Sequence, residues 1–135
     1  MNRLALGLLE GDPSGLRRPV TAVAIGETAL PCLIDSGAAR TRFPEWIADL
    51  NGIELDEDRG ITTDLGGAVV TAYPASVVLR TVAGTYPTVA WFCRGWRSEF
   101  GLLGQEGCLD RFRLTLDVAE GWFALQPSRG ASRRS

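Results

Sequence analysis

The segment Thr28 to Ile34 is a largely apolar run of strand length that ends without a break on an acid, Asp35, followed by Ser36, Gly37 and Ala38. A carboxylate at the end of a buried strand is costly unless amides or a hydroxyl hydrogen-bond it, and here Ser36 offers a hydroxyl and Gly37 an accessible backbone. The preceding run, Val20 to Ile25, also has strand character, and Gly26-Glu27 between the two reads as a turn. The pattern predicts a hairpin that delivers Asp35 at its far end. By itself Asp-Ser-Gly is also an ordinary turn or helix-cap sequence, so its meaning depends on the rest of the chain.

Downstream, Pro44 followed by Glu45 to Leu50 predicts a short helix with Trp46, Ile47 and Leu50 on one face, Trp46 in the core and Asn51-Gly52 as the stop. Glu54 to Arg59 reads as a charged, solvated loop. The stretch Ile61 to Val70 reads as two strands meeting at Gly66-Gly67, a pair that permits a tight turn with a mobile tip. Val70 to Val82 continues as a long strand in which Pro74 demands an edge or a bend. A turn is expected over Gly84 to Pro87, then a strand over Thr88 to Cys93. Arg94 to Glu99 is a polar connection whose Trp96 fits a partner contact or a half-buried plug equally well. After Phe100-Gly101-Leu102-Leu103-Gly104-Gln105, the run Gly107 to Phe112 predicts a second short helix, and Arg113 to Asp117 with Trp122 to Leu125 closes the chain as a hairpin. There is no internal repeat and no second Asp-Ser-Gly or Asp-Thr-Gly. The fold class is all-β, mainly antiparallel, with one or two short helices.

Composition narrows the function. A chain of 135 residues fits one domain, expected over residues 20–126, after a partly ordered N-terminal segment 1–19 and before a disordered basic tail 127–135 carrying Arg129, Arg133 and Arg134. The formal net charge of -2 gives no reason to expect nucleic acid or membrane as partner. The apolar run Leu4 to Leu9 contains Gly7 and meets Glu10 and Asp12 at once, too short for a signal peptide or a span, so a cytoplasmic location is expected. The chain has no histidine, which removes Ser-His-Asp and Cys-His catalysis as usually built. Cys32, Cys93 and Cys108 form no close pair and read as small buried hydrophobes; no metal site and no cofactor is expected.

Two stretches belong together: the apolar-apolar-Asp-Ser-Gly-Ala turn at Leu33 to Ala38 and the apolar-apolar-Gly turn at Leu102, Leu103 and Gly104. In this order and spacing the chain resembles the retropepsin-like aspartic peptidases over about Val20 to Leu125, and the segment from Leu103 to Phe112 is especially similar to bacterial members. The resemblance implies a single-lobe acid-protease barrel. It makes Asp35 the catalytic acid, supported by Ser36, Gly37 and Ala38. Leu102, Leu103 and Gly104 become a strand threading beside the catalytic loop, and Leu65, Gly66, Gly67 and Ala68 the tip of a substrate-covering flap. Ser36 stands where many members have Thr, and Arg40 and Arg42 follow closely as cations expected near Asp35.

The chemistry of that family needs two facing carboxylates, one as general base for a water and one as general acid, and this chain has one. The resemblance therefore implies a homodimer with Asp35 from each copy, acting on a peptide or protein substrate. The alternative is a non-catalytic dimeric module on the same fold that holds a peptide or scaffolds a partner. A third reading, an unrelated small β-barrel, would leave Asp35 away from any symmetry axis.

Overall fold

A computed structural model describes residues 1–129. In chain order its strands are β1 (Leu4–Ala5), β2 (Val20–Ile25), β3 (Thr28–Ile34) and β4 (Arg42–Pro44). The helix α1 (Glu45–Leu50) and a 3₁₀ turn (Glu57–Arg59) follow. Then come β5 (Ile61–Leu65), β6 (Ala68–Thr81), β7 (Gly84–Arg94), β8 (Gly101–Leu103), β9 (Phe112–Asp117) and β10 (Trp122–Pro127). Seven strands pair in the order β2-β3-β8-β4-β7-β6-β5, and Ala24 on β2 pairs with Arg80 on β6, which closes the sheet into a barrel with β5 as an outer strand. A three-stranded sheet, β1-β10-β9, packs against it. The all-β barrel agrees with the sequence reading. Most pairings are antiparallel, but β3 with β8 and β4 with β7 are parallel, because β8 inserts between β3 and β4.

The β2–β3 hairpin turns at Gly26-Glu27 as expected, with Ile25 opposite Thr28. Pro74 lies inside β6 without breaking it. Its partner Trp91 gives its N–H to Thr41 on the far side, and the Pro74 carbonyl accepts from Asp56, so the polar edge of Pro74 faces away from β7. The ladder loses no bond there. The expected turn over 84–87 is displaced: Val82 and Ala83 make the turn, and β7 begins at Gly84 and carries Pro87 opposite Val78.

The core joins both sheets, with Phe43, Ile47, Leu79, Phe92, Leu103 and Phe123 fully buried. Phe43 and Phe92 stand 5.8 Å apart. Leu6, from the N-terminal segment, belongs to the same core. In α1 the buried residues are Ile47 and Ala48, whereas Leu50 is 67% exposed and Trp46 36% exposed, so the expected apolar face is rotated and Trp46 is not a core residue. Its indole N–H is given instead to the Ser98 carbonyl, 2.7 Å away. The helix expected over 107–112 is a set of turns: Leu109 N–H reaches Gly104 O and Asp110 N–H reaches Gln105 O, five residues back, a wider spacing than an α-helix uses. Arg129 lies in the last described turn; Arg133 and Arg134 of the expected basic tail lie outside the described residues. Among the described residues no helix is long and apolar enough to cross a membrane.

Candidate active site

Asp35 sits one residue beyond β3, where the strand becomes a turn. Its N–H extends the β3–β8 ladder by donating to Leu103 O at 2.9 Å, and its carbonyl accepts from Ala38 N–H at 3.1 Å, which closes the turn. The Gly37 amide donates to Asp35 Oδ1 at 2.9 Å, so the carboxylate is oriented by its own loop. The Ser36 hydroxyl makes no hydrogen bond to Asp35 among the described residues. The Ser36 carbonyl instead accepts from Gln105 Nε2 at 2.9 Å. Neither Arg40 nor Arg42 forms an ion pair with Asp35. The Arg40 guanidinium lies over the Trp91 ring, 5.0 Å from its centre.

The two stretches singled out in the sequence come together. Leu33 and Ile34 run parallel to Leu102 and Leu103, and just beyond, Gln105 N–H donates to Ala38 O and Glu106 N–H to Ala39 O. Gly104 sits where these loops touch: a Cβ there would overlap the carbonyl of Arg40 and stand 2.7 Å from the Ala38 oxygen. Only glycine fits, because backbone and not a flexible side chain fills the space. Fully buried Thr41 locks the contact from behind, donating its hydroxyl to Glu106 O at 2.8 Å and accepting from Gly104 N–H at 3.2 Å. Sequence reasoning missed Thr41 and Gln105. Their only signal was a polar residue within a few positions of each motif, which pattern alone does not separate from a surface residue.

The expected flap is the β5–β6 hairpin, with Leu65 opposite Ala68 and both Gly66 (φ 59) and Gly67 (φ 87) in the left-handed region. Two such residues in succession make a hairpin turn whose twist matches its strands. Asp64 Oδ1 accepts from Gly67 N–H at 3.0 Å. Leu65 and Gly66 face Leu33 and Leu102 across a pocket of about 250 Å³; Gly67 and Ala68 do not line it. At the root of the hairpin, Arg94 bonds Glu45 of α1 and Glu57 of the 3₁₀ turn, each at 2.7 Å, and lies 4.7 Å from the centre of the Tyr73 ring. A larger cavity, about 620 Å³, lies against 95–99 and is lined by Pro31, Trp46 and Arg97, but no residue of the Asp35 turn reaches it.

The cysteines are free and buried. Burial pushes the thiols of Cys32 and Cys108 up to about 12 and that of Cys93 up to about 11, which keeps all three protonated and unreactive near neutral pH. Asp35, half-buried, is the carboxylate at the meeting of the two motifs.

No family model matches the chain, and no curated protein matches it in sequence. Solved structures do. The chain is similar to the crystal structure of a retropepsin-like aspartic protease from Rickettsia conorii, with a TM-score of 0.63 at 15% identity over 91% of this chain and 98% of that one. It is also similar to the retroviral protease-like domain of Ddi1 from Leishmania major, with a TM-score of 0.56 at 12% identity over 82% and 94%. The fold is retropepsin-like.

Proposed function

We propose that the chain is a homodimeric aspartic endopeptidase in which Asp35 from each of two copies activates a water against a peptide bond. The observation that carries this reading is the braced Asp35 turn: an acid held by its own glycine amide and by a second strand inserted beside it, on a retropepsin-like barrel. Two carboxylates about 3 Å apart repel by roughly 5 kcal/mol at an effective dielectric near 20, so such a pair holds one proton between them. The unprotonated member takes a proton from the water as it attacks the scissile carbonyl, and the protonated member donates to the carbonyl oxygen. The first then gives its new proton to the leaving nitrogen as the C–N bond breaks, while a hydroxyl of the gem-diol returns its proton to the second and the carbonyl re-forms.

A surface for the second copy is available at β9, which among the described residues pairs only with β10. The carbonyls of Arg111 and Asp117 turn toward the β10 side, accepting from Ser128 and Gly121, so alternation turns the backbone groups of Leu114 and Leu116 outward. An antiparallel pairing of two such edges centred on Thr115 sets Leu114 against the partner's Leu116 and Arg113 against the partner's Asp117. The edge is complementary to itself, as a two-fold interface requires.

Asp35→Asn is expected to abolish cleavage of unfolded casein while leaving folding and dimerisation intact; retained cleavage would sink the reading. At the edge, Arg113→Asp or Asp117→Arg alone sets like charges opposite and is expected to give monomer in sedimentation, with activity lost in parallel, whereas the double swap restores both. Dimeric single variants would place the interface elsewhere.

A further inference from the structure

The N-terminal segment contributes a wall to the pocket lined by Leu33, two residues before Asp35. Gly7 and Arg18 exchange two backbone hydrogen bonds, N–H to O at 2.9 Å and 2.7 Å, and so pinch residues 8–17 into a closed loop before the barrel's first strand begins. The loop is stiffened from within. Asp12 accepts from the Ser14 amide at 3.0 Å and the Ser14 hydroxyl at 2.9 Å, and pairs with Arg18 at 3.2 Å. These partners, the Ser14 amide first, hold the Asp12 carboxyl below the usual carboxylate range. Leu8 and Leu16 of the loop are exposed, but Leu9 is only 7% exposed. It is turned into the 250 Å³ pocket between the flap tip and the acid-bearing sheet, opposite Leu33, Leu65, Trp96 and Leu102.

Leu33 and Leu102 are cross-strand neighbours that stand outside the main core cluster, whereas Cys32, Ile34 and Leu103, adjacent to them in sequence, are inside it. Alternation along a strand therefore turns Leu33 to the outer face, the face that Asp35 shares two residues later. The pocket is smaller than those that enclose drug-sized ligands and has room for a single large side chain. Its lining combines the Asp12–Arg18 pair with the apolar Leu9, Leu33, Leu65 and Leu102, and one of its walls is the tip of the hairpin expected to cover substrate.

We infer that Leu9 is a specificity-determining residue: loop 8–17 sets the depth of an apolar pocket that receives one aliphatic or aromatic side chain of an extended peptide lying across Asp35. This rests on the peptidase reading for the reaction, and on the pocket alone for the preference. Asp12 and Arg18 act as positioning residues, holding the loop so that Leu9 stays in place.

The test is a peptide series differing only in the side chain at one scissile position, Ala, Leu, Phe or Trp. It is measured by cleavage with the wild-type protein, Leu9→Ala and Leu9→Phe, and by tryptophan fluorescence of bound peptide in an Asp35→Asn background. Leu9→Ala is expected to raise the Trp-to-Leu preference in kcat/KM by on the order of tenfold or more, and Leu9→Phe to shift it toward Ala. Leu9→Met, which nearly conserves volume, serves if Leu9→Ala does not fold, and is expected to leave the order of preference unchanged while Leu9→Phe moves it. Cleavage with a preference that Leu9→Phe leaves unmoved overturns the inference and spares the peptidase reading. Size-selective binding that follows residue 9 without cleavage in any variant keeps the inference and overturns the reaction. Neither binding nor cleavage overturns both.

Discussion

The Asp35 turn and the Gly66-Gly67 hairpin are both tight turns between strands, yet they are held in opposite ways. The acid turn is braced by chain from far away: Leu103 receives its amide, Gln105 and Glu106 bond the carbonyls of Ala38 and Ala39, and Thr41 closes the back. The hairpin is held by side-chain packing of Ile61, Leu65 and Val70 with Trp91, Cys93 and Trp96, and not by a strand inserted at its tip. Among the described residues β5 pairs with β6 alone, Val69 is 74% exposed, and the Asp64 contact at the tip is local. What the hairpin has instead is an anchor at its base, Arg94, which joins two other elements. The difference teaches where a site of this kind needs rigidity. On the peptidase proposal the acid is fixed before substrate arrives and the cover opens, and free energy of local opening follows from how much each region is held by its surroundings.

The sharpest way to break the contrast is Gly104→Ala. The added carbon meets backbone oxygens that cannot swing aside, so a loss of about 3 kcal/mol or more is expected in urea unfolding. The change is also expected to loosen the acid turn in amide exchange while leaving the hairpin unaffected. A change below about 1 kcal/mol would mean that the two loops are not interlocked.

Next in size is the response of the braced half to alkali. Cys32 and Cys108 belong to the core cluster that Leu103 shares, and burial raises both thiols from about 9 to about 12. The folded state therefore favours the protonated thiol. Its contribution is complete below the unfolded value near 9 and is lost as pH rises toward 12, at up to about 1.4 kcal/mol per unit for each thiol. Urea midpoints are expected to fall between pH 9 and pH 11, and thiol reagents to react only at the rate of global unfolding. Fast native-state labelling at pH 8 would place these residues in a mobile region. The smallest effect is Arg94→Met. Its ion pairs are exposed, so no measurable change in global stability is expected, but amides of 57–64 should exchange faster while those of 35–41 do not. Equal acceleration in both would join the two regions into one cooperative unit.

Much of this contrast was legible in the sequence because it rests on local signals. Gly26-Glu27, Pro44 and Gly66-Gly67 each mark a turn or a helix start by their own conformational preferences, and each stands where expected. The misreadings share a cause. Pro87 and Gly84 read as breakers, but a proline is tolerated in a strand wherever its nitrogen faces an unpaired side, and that depends on where a neighbouring strand ends. The stretch after Gly104 has helix-compatible residues, but its amides are taken by carbonyls that suit a wide turn locked onto the acid loop. Leu9 carried no periodic signal at all; its partners Leu33, Leu65 and Trp96 are remote in sequence, and only the folded chain brings them together.

The insertion of β8 between β3 and β4 also sets an order of events. The bond from Gln105 to Ser36 spans 69 residues, and the braces that reach the acid turn from Leu103, Gln105 and Glu106 belong to chain made after the β5–β6 hairpin and both long strands. Contacts of such separation form late, because loop closure precedes their reward. On a ribosome, where the N-terminal half emerges first, Asp35 would remain an unbraced surface acid until 101–106 has been synthesised and slotted home. In a nascent or truncated chain, the acid acquires its geometry only when the barrel is complete.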